Sequence, residues 1–160
     1  MTIEEMLAIE EIRQLRAAYS AHLDSQQLDQ LAALFTDDAV CAYPEEFGGD
    51  WVGRQTIRDN FAGIMPAIGQ QFDAIHVVTN PWIRLTGPDT AEGRWYLMDW
   101  LTRQKAGTGE MTTRGGHDNP LLFLFVYEDE YRRVDGAWKF SRIVLHTLWP
   151  DRLYTALEHD

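Results

Sequence analysis

A chain of 160 residues, 45% apolar and 24% charged, has the profile of one soluble domain with room for a core and a small enclosed ligand. Its formal net charge of −11 argues against nucleic acid and anionic membrane as partners, because those are bound through Lys/Arg surfaces. One cysteine, Cys41, excludes an internal disulfide and any multi-cysteine metal site.

The acidic opening Met1-Thr2-Ile3-Glu4-Glu5 lacks the basic-then-apolar order of a secretory signal, and no apolar run reaches membrane-spanning length. A cytoplasmic protein is expected, with residues 1–160 as a single folding unit. Thr2-x-x-Glu5 has capping-box spacing and opens a helix. Ile9, Ile12, Leu15, Arg16, Tyr19, His22 and Leu23 then recur at helical steps on one face. Asp24 follows at the helix end, where the dipole favours cations, so its carboxylate is either solvated or held by a specific partner. A second helix carries Leu28, Leu31, Leu34 and Phe35 inward, and Thr36-Asp37-Asp38 reads as the turn that ends it. Val40 to Tyr43 is a short strand with Cys41 and Tyr43 on one face. After a loop closed by Trp51, Gly53 leads into a third helix striped by Ile57, Phe61, Ile64 and Ile68.

From there the chain reads as strand. Ala74 to Leu85 has β-branched residues on both sides of His76 and is interrupted at Asn80-Pro81; apolar residues on both faces predict a buried strand with His76 inside. Thr90 to Thr102 returns, carrying Trp95, Tyr96, Leu97, Met98 and Trp100. Lys105 to Asn119 is a long polar loop with four glycines. Leu121 to Val134 and Ala137 to Leu148 form a hairpin joined at Asp135-Gly136, a strong turn signal. Three helices, a short strand and four long antiparallel strands make an α+β domain, a curved antiparallel sheet wrapped by about three N-terminal helices.

A buried imidazole needs a hydrogen-bond partner. Asp24 is the main candidate for His76, the pair forming a proton-abstracting dyad; a backbone carbonyl is the alternative. Tyr19 is either a hydrogen-bond donor to developing charge or a core tyrosine. Tyr43, Trp51, Tyr96, Phe123, Phe125 and Trp149 are candidate pocket walls and suggest a ring-containing, largely uncharged substrate. His146, placed with the parity of Trp138, Phe140, Arg142 and Val144, either faces the cavity or caps the sheet. Arg114 and His117 in the polar loop are candidate lid residues or solvated ones. Asp99 is a buried acid or an outward residue, and the strand surface with Trp100 and Tyr131 is a candidate subunit interface. His76, His146 and His117 together could hold zinc, but no short-spaced ligand pair exists, so no metal site is expected.

The opening helix with Tyr19-x4-Asp24, the segment Leu31-Ala32-Ala33-Leu34-Phe35-Thr36-Asp37-Asp38-Ala39-Val40, the stretch His76-Val77-Val78-Thr79-Asn80 and the hairpin from Tyr127 to Phe140 resemble one family. It is the SnoaL-like branch of the nuclear transport factor 2-like superfamily, whose fold is a cone-shaped α+β barrel. Tyr19, Asp24 and His76 fall where bile acid 7α-dehydratases carry a tyrosine, an aspartate and a histidine. Asp24 and His76 also fall on the Asp-His pair of hexachlorocyclohexane dehydrochlorinases, and scytalone dehydratases are similar in outline. The resemblance implies a cofactor-independent lyase in which histidine removes a proton and a neighbouring group leaves, and it implies a homotrimer or homodimer. Formaldehyde-releasing lyases of aromatic diols look like the same branch. Tyr43 stands where ketosteroid isomerases carry their aspartate base. Tyr19 and Ile143 stand where the dehydrochlorinases carry lysine and arginine. The alternatives are an acid/base enzyme of the polyketide-cyclase or isomerase type, and a non-catalytic small subunit or binding module of the same fold.

Overall fold

Thr2 starts the first helix, α1 (Ile3–Asp24): its Oγ1 accepts from the Glu5 amide at 3.2 Å, and Glu5 Oε2 accepts from the Thr2 amide at 2.7 Å. These reciprocal bonds satisfy amides that the first turn leaves without helical partners. The buried residues Ala8, Ile12, Leu15, Arg16, Tyr19, Ser20 and Leu23 form one stripe, which faces the sheet. Gln26, in left-handed backbone at φ 57°, turns the chain immediately after Asp24. The structure, a computed structural model, describes residues 1–45, 48–65, 74–101 and 122–149. Ile68, Arg114, His117 and the Lys105–Asn119 loop lie outside the described residues.

The helix α2 (Leu28–Ala33) ends earlier than its sequence suggests, and β1 (Phe35–Ala42) includes Thr36, Asp37 and Asp38. The expected turn at these acids is therefore replaced by strand. The cause is pairing across the fold: the Phe140 amide donates to the Leu34 carbonyl at 2.9 Å, and Phe35 lies in register with Phe140. Tertiary pairing outweighs local propensity here. Asp37 and Asp38 point to solvent and form ion pairs with Arg54 and Arg132.

The remaining elements are β2 (Asp50–Val52), α3 (Arg54–Ile64), β3 (Ala74–Leu85), β4 (Thr90–Leu101), β5 (Leu122–Val134) and β6 (Ala137–Trp149). The strands form one open sheet in the order β2-β1-β6-β5-β4-β3. Four neighbouring pairs are antiparallel, but β1 runs parallel to β6, so the sheet is mixed rather than antiparallel throughout. Asp135 (φ 52°) and Gly136 (φ 80°) supply the two positive-φ positions of a type I′ turn between β5 and β6.

Two bulges decide which side chains face inward. In β3 the register shifts between Thr79 and Trp82, with Asn80 in left-handed backbone at φ 51°. His76 and Val78 face inward before it, Ile83 and Leu85 after it. In β6 the partners of Glu130 and Tyr131 are Arg142 and Phe140, so Ser141 is the extra residue. Trp138 and Phe140 face the core on one side of it; Ile143, Leu145 and Thr147 do so on the other. One inserted residue transfers every later side chain to the opposite face.

The strand carrying His76 is not buried on both faces. Among the described residues β3 lies at the sheet edge, and Ile75 and Val77 are 47% and 39% exposed. Their faces alternate with His76, whose side chain is only 10% exposed. Trp100 belongs to the same outer surface, but Tyr131 does not: it is buried, and its hydroxyl accepts from Trp95 Nε1 at 2.9 Å and donates to Asp129 at 2.6 Å. Among the described residues no helix is long and apolar enough to cross a membrane.

The core fills the space between α1, α3 and the concave face, centred on Tyr19, Phe35, Phe61, Tyr131 and Phe140. At Gly93 on β4 an added Cβ would stand 2.9 Å from Tyr131 Cε2 and 3.4 Å from the Trp82 carbonyl. Because both hydrogen bonds of Tyr131 fix its ring, there is no direction in which it can give way. Gly93→Ala is expected to cost about 1–3 kcal/mol and to lower the melting temperature by roughly 3–10 °C. A melt within 1 °C or so of the wild type would show that the ring is not held.

Candidate active site

Asp24 and His76 come from the end of α1 and the edge strand β3, 52 residues apart in sequence. Asp24 Oδ1 stands 2.6 Å from His76 Nδ1, and both carboxylate oxygens lie 3.2 Å from the His76 backbone nitrogen. The edge position explains this geometry. An edge strand turns alternate amides away from its neighbour, and Asp24 takes the one at His76 as well as the ring. A carboxylate only accepts, so the proton of the ring contact sits on Nδ1 and the basic lone pair belongs to Nε2. Two points of attachment fix both the tautomer and the orientation of the imidazole.

His76 borders a cavity of about 170 Å³ whose walls include Tyr19, Tyr43, Trp51, Phe61 and Tyr127. The hydroxyls of Tyr19 and Tyr43 are 3.0 Å apart. Burial pushes both phenols above their ordinary range, with the neighbouring Cys41 adding to the shift, so both stay protonated and can donate at neutral pH. Tyr19 is gripped edge-on by Phe35, Phe61, Tyr127 and Phe140 at centroid distances of 5.6–6.2 Å. Burial likewise raises the Cys41 thiol to about 12, which removes it as a thiolate nucleophile.

Behind the tyrosines lies a buried charge. The Arg16 guanidinium sits 4.7, 4.0 and 4.6 Å from the ring centroids of Tyr19, Tyr127 and Phe140. Asp129 grips it from β5 through both carboxylate oxygens, with Nε to Oδ2 at 3.1 Å. Burial is the largest influence and opposes the charge on Arg16, but Asp129 together with Tyr131, Tyr127 and Tyr19 outweighs it and holds the guanidinium protonated. Arg16 is legible in the sequence as part of the buried helix face; its countercharge, 113 residues away, is not.

The other candidates separate clearly. Tyr43, Trp51 and Phe125 border the cavity. Phe123 is half-buried behind it, its ring 5.8 Å from that of Phe125. Tyr96 and Trp149 do not border it; they are 40% and 39% exposed. His146 also misses the cavity, because the Ser141 bulge puts Leu145 there instead; His146 Nε2 is 2.9 Å from Glu128 on the neighbouring strand. Among the described residues no three His, Cys, Asp or Glu side chains converge in a metal-ligand set. Two larger grooves, one beside Asp38 and Arg142 and one beside Glu4 and Arg133, are open surface features remote from His76.

Asp99 enters as a wall residue that the sequence left ambiguous. It shares the inward parity of Trp95 and Leu97, and its Cα is paired with that of His76. Burial raises its carboxyl above the ordinary range, partly offset by His76 and reinforced by Asp24. A carboxyl raised in the fold destabilises the protein above its folded pKa and has no such effect below its unfolded one. Asp99→Asn is therefore expected to melt higher than the wild type at pH 8, and the gap should close as the pH falls to about 4. A gap that widened on acidification would contradict the burial of this group.

Residues 4–144 match the family model described as the SnoaL-like domain. A scytalone dehydratase-like protein of Novosphingobium aromaticivorans superposes with a TM-score of 0.75 at 24% identity, covering 100% of this chain and 99% of that one. The LinA structure gives a TM-score of 0.69 at 22% identity, covering 96% and 98% of the two chains. Hexachlorocyclohexane dehydrochlorinase LinA-type3 of Novosphingobium barchaimii gives 0.68 at 21% identity, covering 96% and 99%. At these identities the likenesses show a shared fold.

Proposed function

This chain belongs to the SnoaL-like domain family of the nuclear transport factor 2-like superfamily, and we propose that it is a lyase carrying out a cofactor-independent elimination on a small ring-containing substrate. One observation carries the reading: Asp24 holds His76 through both its ring and its backbone at the wall of an aromatic cavity. His76 Nε2 removes a proton from a carbon next to an electron-withdrawing group, and Asp24 stabilises the imidazolium that forms. The electrons of the broken C–H bond form a double bond as the neighbouring substituent leaves with its own pair. The imidazolium returns the proton to that leaving group, so a departing hydroxide leaves as water. Tyr19, paired with Tyr43, donates to the oxygen on which negative charge develops.

Incubation with a panel of single-ring β-hydroxy carbonyl compounds, followed by absorbance of the conjugated product, tests this in the presence of a chelator. Product formation by the wild type and its loss in His76→Ala support the elimination. Equal turnover by the wild type, His76→Ala and Asp24→Asn removes the dyad proposal, and saturable binding of the panel without any product favours a binding module of the same fold.

A further inference from the structure

The concave face carries a transverse row of three side chains, His76 on β3, Asp99 on β4 and Phe123 on β5, joined by cross-strand register. The His76 amide is given outward to Asp24, so His76 and Asp99 form the antiparallel pair type whose side chains approach most closely. The two carboxylates near this imidazole differ in one respect. Asp24 is engaged by the ring and amide of His76, whereas Asp99 Oδ1 is buried with no hydrogen-bond partner among the described residues. A buried acceptor left without a donor costs free energy, and such groups are few in native proteins.

Three properties of the cavity say what would supply the donor. No lysine or arginine is among its described wall residues, and Arg16 is committed to Asp129 behind the tyrosines. An anionic substituent would meet Asp99 without a countercharge, a penalty that selects against it. Apart from His76, Asp99 and the tyrosine hydroxyls, the described walls are apolar and largely aromatic, which suits a ring. A volume of about 170 Å³ is close to the ~150 Å³ apolar cavity that accepts benzene.

We propose that Asp99 is the specificity-determining residue of this pocket, anchoring an uncharged, hydroxylated single-ring compound through a substrate hydroxyl that donates to its carboxyl group. This deepens the functional reading above and rests on its placing of the substrate in this cavity. It does not rest on the elimination step, so binding rather than turnover tests it. The anchor also leaves the hydroxylated ring edge beside His76, on the strand next to Asp99.

Calorimetric titration with catechol, toluene and benzoate, on the wild type, Asp99→Asn and Asp99→Leu, reads the proposal directly. In the wild type, catechol is expected to bind about 10–100-fold more tightly than toluene or benzoate, the worth of one hydrogen bond to a charged acceptor. Asp99→Asn keeps a carbonyl acceptor; it should retain the preference for catechol over toluene and admit benzoate. Asp99→Leu should reverse the preference toward toluene. His76→Ala should retain the wild-type order of ligands, which separates this proposal from the fate of the elimination reading. Benzoate binding the wild type as tightly as catechol, an unchanged catechol-to-toluene ratio in folded Asp99→Leu, or no binding of any of the three to the wild type would each overturn it.

Discussion

Turnover by His76→Ala is expected to fall by about 10²–10⁴-fold, the usual worth of a positioned general base. Asp24→Asn should fall in the same range, for a reason visible in the contacts. Oδ1 of Asp24 faces both the ring and the amide of His76, while Oδ2 faces the amide alone. An asparagine that keeps its carbonyl oxygen toward the ring preserves the tautomer but loses the charge that stabilises the imidazolium, and it turns an NH2 toward the His76 N–H. The opposite flip sets an NH2 against Nδ1 and moves the ring proton to Nε2, where the basic lone pair is needed. Asp24→Asn should act on kcat and leave KM nearly unchanged, since Asp24 is not among the described residues of the cavity wall, and His76→Ala should lose far more in kcat than in KM. Steady-state kinetics on any substrate found by the panel gives the answer; a loss confined to KM would make His76 a binding residue instead of a base.

Breaking the buried ion pair should have the largest effect on stability. Arg16 and Asp129 have fully buried side chains, and the aspartate also accepts from Tyr131. Arg16→Met strands a carboxylate in the core, and Asp129→Leu strands a guanidinium among three aromatic rings. Each is expected to cost about 3–5 kcal/mol, a large part of a typical 5–15 kcal/mol, with a melting temperature lower by roughly 6–20 °C. The double variant removes both charges and replaces them with apolar groups, so it should recover most of the loss. Urea unfolding of the four proteins checks this. Single variants each costing less than about 1 kcal/mol, or a double variant as weak as the sum of the singles, would mean that the pair does not hold α1 to the sheet.

The parts of the fold that could be read in the sequence are those with a local cause. The capping box at Thr2, the helical spacing from Ile12 to Leu23, the strand Ala74–Leu85 and the Asp135-Gly136 turn all carry their own signals, and the structure has them. What could not be read was set by partners distant in sequence. Phe35 to Asp38 join a strand because β6 pairs with them, although their composition suits the end of a helix. His146 shares its numerical parity with Trp138 and Phe140, and nothing near Ser141 announces that the parity breaks there. The alternating apolar residues around His76 describe two faces correctly, but only the topology says that one of them lies at the outside of the sheet. For the site, the resemblance pointed to Tyr19, Asp24 and His76; Asp99 carried no such pointer, and its role depends on strand register.

The extra residue at Ser141 also bears on how such a pocket can change over generations. Losing Ser141 itself would keep Phe140 opposite Tyr131 and Arg142 opposite Glu130, with Leu145 still at the cavity. Losing Val144 just beyond it would instead advance the rest of β6 by one position, bringing His146 to the place of Leu145 and turning Leu145 and Thr147 to the outer face. A new imidazole opposite His76 is thus one deletion away rather than several point mutations away, provided the core tolerates the exchanged residues. Length variation within a strand, ordinarily counted as damage, is in this architecture a short route to different acid–base equipment.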